Sequence, residues 1–130
     1  MATLAHALQV VGWFIAPLVI FLIKPESRFV RFHALQALLL QAVHVVLYFI
    51  LAVAWIAVIF SSVFRQAATS SQQPPFPLAF FIAFPFIWLA MMGLWVFIVV
   101  VAILYAVKAG RGEWAQYPLV GRWARRILSI

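Results

Sequence analysis

The sequence predicts an all-α integral membrane protein, with three transmembrane helices followed by a C-terminal amphipathic helix lying in the membrane interface. Three observations carry that reading. Of 130 residues, 68% are hydrophobic and 8% charged, whereas a soluble domain is about half apolar and a quarter charged. The mean hydropathy is +1.16. The apolar residues fall in long uncharged runs separated by short basic or proline-containing stretches. A formal net charge of +7 would suggest nucleic acid in a polar protein, but here it is read against a bilayer. The only acids are Glu26 and Glu113, and cysteine is absent. No buried carboxylate pair, thiolate nucleophile, thiolate metal site or disulfide can be built, so neither catalytic residues nor a metal site are expected.

The first run, Leu4 to Ile23, carries no charge, and His6 and Gln9 are its only strongly polar side chains. As one helix of twenty residues it measures about 30 Å, the thickness of a hydrocarbon core. No basic region precedes it, and Lys24-Pro25-Glu26 stands where a signal-peptide cleavage site would be. It reads as a retained first span, about 4–23. Beyond Pro25, Glu26 or Ser27 can cap a second helix, and the chain runs from Phe29 to Phe64 with neither proline nor glycine. The second span is therefore placed at about 32–64, with the basic turn Arg28 to Phe32 among the lipid headgroups. Arg65 to Pro77, RQAATSSQQPPFP, is polar and proline-rich, hence an exposed loop. The third span, about 78–107, contains no charge, amide or histidine, and Pro85 should bend it.

Lys and Arg are retained on the cytoplasmic side. Lys24, Arg28 and Arg31 lie between spans one and two, and Lys108, Arg111, Arg122, Arg125 and Arg126 follow span three, with only Arg65 in the other loop. Three spans put the two basic regions on one face, which predicts a bacterial inner membrane protein with its N-terminus out and C-terminus in. In the tail, 118–130, Leu119, Val120, Trp123, Ile127 and Leu128 share one side of a helix and Arg122, Arg125 and Arg126 project from the other, a pattern suited to anionic lipid.

Within the second span, His33, Gln36, Ala37, Leu40, Gln41, His44, Tyr48 and Leu51 form one broad stripe at about 100° per residue. Gln9, Gln36, Gln41 and Tyr48 are expected to make polar contacts between helices, because such groups are costly in hydrocarbon unless paired. An antiparallel pairing of spans one and two places His6 toward the outer side, His33 near the inner one and His44 between, so the three do not share a metal. Each histidine has two readings: hydrogen bonding between helices, or axial ligation of haem or chlorophyll by His44, His33 or His6. A proton path lacks the carboxylate such relays use.

Two blocks resemble a known family. His6, the Gly12 to Pro17 region, Lys24 and the run Ser27 to Ala37 (SRFVRFHALQA), together with Ala109-Gly110-Arg111-Gly112-Glu113 and Tyr117-Pro118-Leu119, look like the signature of small bacterial membrane proteins related to the Tic-twenty component of the chloroplast inner-envelope import machinery. The resemblance implies three or four helical spans and, in the plant branch, a preprotein channel. The family usually carries a polar residue shortly after its Gln-Ala, where Leu38, Leu39 and Leu40 stand here, which leaves less polarity for an aqueous path.

The function expected is that of a non-enzymatic accessory subunit in a larger integral membrane complex, respiratory or photosynthetic. Its partners would be membrane lipid and other integral subunits or copies of itself, with no nucleic acid. The alternatives are a pore or translocation component of the Tic-twenty kind, and a subunit binding chlorophyll or haem.

Overall fold

In the computed structural model, which describes residues 1–68 and 78–129, every regular element is an α-helix. They are α1 (Ala2–Gly12), α2 (Ile15–Ile23), α3 (Arg28–Ala68), α4 (Leu78–Gly110) and α5 (Val120–Leu128). The all-α class stands, but two helices rather than three are long and apolar enough to cross a membrane, α3 and α4. The loop expected at 65–77 lies mostly outside the described residues; Arg65 to Ala68 close the last turn of α3.

The expected first span is instead a hairpin. Gly12 ends α1, Trp13 takes a positive φ of 49°, and α2 starts at Ile15 with Pro17 in its first turn. A proline there lacks only an N–H that the first turn leaves unpaired, whereas in a continuous helix its ring would strike the carbonyl four residues back. The turn is tight: a Cβ on Gly12 would sit 3.0 Å from that of Ala16. α2 then returns along α1, and Ala5, Ile20 and Ala34 form a small core covered by Phe21 and Val30. Neither arm, of 11 and 9 residues, reaches beyond about 17 Å, roughly half a hydrocarbon core.

At the start of α3 the cap is Ser27, whose Oγ accepts from the Val30 N–H at 3.3 Å. With 41 residues, α3 measures about 60 Å, so it tilts in or projects from a bilayer. Its most apolar stretch contains no buried residue, which is the opposite of a soluble protein's core helix. α4 runs through Pro85 to Gly110, and Gly112 with φ 78° follows its end.

The chain groups into two compact units, Met1–His44 with Val96–Ile130, and Val45–Trp95. Among the described residues of the second, aromatic packing and a polar contact join α3 to α4. Trp55 lies against Phe80 and Phe84 at 5.5 and 5.7 Å between ring centres. The Tyr48 hydroxyl donates to the Met91 carbonyl at 2.7 Å. Ser61 and Ser62 turn their hydroxyls back to the carbonyls of Val58 and Ile59, which removes those donors from lipid. Tyr48→Phe should cost roughly 0.6 kcal/mol, the usual worth of a hydrogen bond inside a membrane protein. Detergent melting curves of the two proteins give the comparison.

Candidate functional site

The polar side chains of the first unit converge on a stretch of chain that has no secondary structure of its own. Between α4 and α5, residues Glu113 to Tyr117 are non-helical, and their backbone groups need partners wherever water is scarce. Side chains supply them. His33 Nε2 bonds to the Glu113 carbonyl at 3.1 Å. Gln36 is bidentate, donating from Nε2 to the Ala115 carbonyl at 3.2 Å and accepting the Tyr117 N–H on Oε1 at 2.7 Å. The Tyr105 hydroxyl donates to the Gln116 carbonyl at 2.9 Å. Three helical turns, from α3 and α4, thus replace the ladder that a neighbouring strand would provide.

Beneath this strap runs a chain of hydrogen bonds whose direction is set by its end. The Glu113 carbonyl only accepts, so His33 Nε2 carries a proton, and in the neutral imidazole Nδ1 is then an acceptor. His6 Nε2 lies 2.9 Å from that Nδ1 and must donate to it. His6 Nδ1 then accepts from the Tyr117 hydroxyl at 2.8 Å, and the Tyr117 oxygen accepts from Gln9 Nε2 at 3.4 Å. With both buried imidazoles neutral, as the cost of desolvating a charge favours, the proton is on Nε2 in each. His6, His33, Gln9 and Gln36 are all fully buried.

The tyrosine and histidine rings pack as closely as they bond. Tyr117 sits 4.1 Å from Tyr105, and Phe29 and Phe32 flank His33 at 4.6 and 5.4 Å. Trp114, from the strap, covers Phe29 and Phe32. Burial pushes the Tyr117 hydroxyl well above its ordinary range, the Gln9 bond opposing this and Tyr105 adding to it. At the exposed corner before α3, Glu26 is held below the usual carboxylate range by a backbone hydrogen bond and by Lys24, 3.2 Å away; such a surface pair contributes little to stability.

The placement of the histidines differs from the sequence expectation. His6 and His33 are in direct contact, because the hairpin makes α1 run along α3 in the same sense: His6 meets His33, and further on Gln41 Nε2 donates to the Gln9 carbonyl at 3.0 Å. The antiparallel pairing assumed a continuous first span, and the break at Trp13 removes it. His44 stands apart from that pair, its Nδ1 3.4 Å from Gln41 Oε1. Both ring nitrogens of His6 and of His33 are engaged in the chain just described, so neither presents a lone pair to a tetrapyrrole in this arrangement. No group of three or more metal-ligating side chains occurs among the described residues. Gln36, expected to join two helices, binds the strap, while Tyr48 bonds across to α4 within the second unit.

Sequence reasoning missed Tyr105, Tyr117 and Gly121 as members of the site. The signal was available, since Ser27 to Ala37 and Ala109 to Leu119 stood out as the two distinctive blocks, and they prove to touch through His33, Gln36 and Trp114.

A family profile matches residues 1–124, the span that contains every residue of the clamp; it describes the MamF/MmsF magnetosome magnetite crystal formation protein family. The chain belongs to this family. The match overturns the resemblance to the Tic-twenty component, because the two blocks that suggested it fall inside a different family's full-length pattern. Comparison with curated proteins and with solved structures returned no match. Membership makes this a membrane-associated magnetosome protein, and the match lends no support to the respiratory or photosynthetic setting that was expected.

Two outcomes test the clamp. Gly121 lies where a Cβ would come within 2.9 Å of Gln36 Oε1 and closer still to the Gln116 side chain, so Gly121→Ala should destabilise the protein by about 1–3 kcal/mol through overpacking. Earlier tryptic cleavage at Arg111 would report the strap loosening. The Tyr117 shift has a definite sign: a folded-state value raised above the ordinary 10.0 gives stability that is complete below about pH 10 and is lost as the pH rises through the folded value. Tyr117→Phe should melt earlier at neutral pH yet lose less stability between pH 9 and about 11 than the parent.

Proposed function

We propose that this chain is a non-enzymatic integral protein of the magnetosome membrane. It contributes to magnetite crystal formation by packing beside other integral subunits, or copies of itself, in that membrane. The family match over residues 1–124 carries the reading. Two features support the structural rather than chemical role. α3 and α4 turn long apolar surfaces outward, and the polar interior is filled by the neutral, internally bonded clamp that anchors the strap.

With two crossings and a hairpin, both termini belong on one face. Lys24, Arg28, Arg31, Lys108 and Arg111 lie at or beside the ends of α3 and α4 that join the clamp, and Arg122, Arg125 and Arg126 lie in α5 beyond it, a bias that supports a cytoplasmic location for that face. This replaces the N-terminus-out arrangement that three spans implied. The connection between α3 and α4 then faces the vesicle lumen, where the mineral grows. Residues 65–77 include no carboxylate, histidine or cysteine, the side chains that ligate iron. Action through the membrane and its assemblies fits that composition better than direct ligation of iron by this connection.

Deleting the gene from its magnetosome-forming host should change the size or number of magnetite crystals, and the protein should fractionate with purified magnetosome membranes and resist a carbonate wash. Unchanged crystals together with a protein confined to the bulk cytoplasmic membrane would refute the proposal. For the orientation, epitope tags at the two ends should show the same protease protection in sealed vesicles, and a Ser71→Cys variant should react with impermeant maleimide from the opposite face.

A further inference from the structure

The tail helix α5 has an apolar arc about twice as wide as the protein itself covers. Val120, Gly121 and Ala124 are buried against the first unit. Leu119, Trp123 and Ile127 continue the same arc at intervals of four residues, yet are 68%, 50% and 60% exposed. Arg122, Arg125 and Arg126 occupy the remaining side. Arg125, exposed like the other two, rests its guanidinium over the Phe32 ring at 5.7 Å on the side of α5 away from the uncovered stripe, and Arg122 and Arg126 are nearer to it.

The surroundings say what covers that stripe. Pro118, Leu119 and Val120 form one wall of an apolar cleft of about 420 Å³. The opposite walls are Leu40 and Val43 of α3 and Phe97 and Val101 of α4, with Tyr105 and Tyr117 at the polar end. Leu40, Val43, Phe97 and Val101 belong to the two helices that are apolar enough to cross a bilayer. The stripe is therefore continuous with the surface that acyl chains touch. A tryptophan flanked by arginines at such a boundary has its ring at headgroup depth and its cations at the phosphates. A second copy of the chain fits poorly, because it would bring like-charged tails together.

We propose that α5 is an interfacial anchor in which Leu119, Trp123 and Ile127 enter the acyl boundary of the membrane, an acyl chain fills the adjoining cleft, and Arg122 and Arg126 bind the phosphates of anionic phospholipid. The helix then fastens the strap from outside as the clamp fastens it from inside. The inference stands whether or not the protein acts on magnetite, since it concerns the tail and lipid alone.

The test uses the full chain, which has no native cysteine. Ile127→Cys and Arg122→Cys variants carry a polarity-sensitive fluorophore in vesicles of phosphatidylcholine with or without phosphatidylglycerol, some containing a shallow spin-labelled quencher lipid. The Ile127 probe should be blue-shifted and quenched and the Arg122 probe should not, with stronger quenching when phosphatidylglycerol is present. Arg122→Gln with Arg126→Gln should lower the docked-to-undocked ratio by about five-fold per arginine, and Arg→Lys at both positions should retain it. Melting curves of the Gln variants separate loss of docking from loss of folding. Equal solvent exposure of both probes in both lipids overturns the proposal, as does quenching indifferent to phosphatidylglycerol and salt. A probe at 127 shielded in native membranes but wet in pure lipid assigns the stripe to another protein and overturns it equally.

Discussion

The fold of the first unit depends on satisfying five residues of unstructured backbone. Glu113 to Tyr117 pass from α4 to α5 outside any helix or strand; at the two ends the Glu113 N–H still bonds to the Lys108 carbonyl and the Tyr117 carbonyl accepts from the Gly121 N–H. A carbonyl or N–H left unpaired where water is scarce would cost about 1–3 kcal/mol. Four such groups in the strap are met by His33, Gln36 and Tyr105. That requirement explains why polar residues gather at one end of an otherwise apolar chain. It also explains why they are amides, imidazoles and phenols, which bond without bringing a charge to be desolvated.

The hairpin is subordinate to the same need. A continuous first span would run antiparallel to α3 and leave His6 and Gln9 at the end remote from His33 and Tyr117. The fold-back at Trp13 lets α1 run beside α3, so His6 and Gln9 arrive together under Tyr117. The small residues Ala5 and Ala34, both fully buried, allow the approach. Each element of the unit therefore lies where it can close the hydrogen-bond chain from Gln9 to the Glu113 carbonyl.

How much of this was legible in the sequence depends on which residues carried it. The helical class, the long uncharged third run and a helix in the tail follow from periodicity and charge, and α3 is nearly the helix that the absence of proline and glycine between Phe29 and Phe64 requires. Hydropathy misled at residues 4–23. It records transfer from water and is blind to backbone geometry, so it joined two short helices across Gly12-Trp13. Gly12 and Pro17, five residues apart, held the contrary information. The clamp was half legible: the stripe of His33, Gln36 and Gln41 announced buried polar partners, but those partners are mostly backbone carbonyls and N–H groups. Every residue carries such groups, and no pattern of side chains marks which of them will be left without a helix.

The arrangement also bears on what a magnetosome protein of this composition can do. A charged or metal-binding interior would tie the fold to pH or to iron supply, whereas a chain of neutral donors and acceptors ending in a main-chain carbonyl holds the same polarity across the range in which its groups keep their protons. Reversing the chain's direction would put a second proton on His33, on Nδ1 as well as on the Nε2 that faces the Glu113 carbonyl, and so would bring a charge into the buried core. The surfaces left open among the described residues are then the apolar flanks of α3 and α4 and the cationic face of the tail.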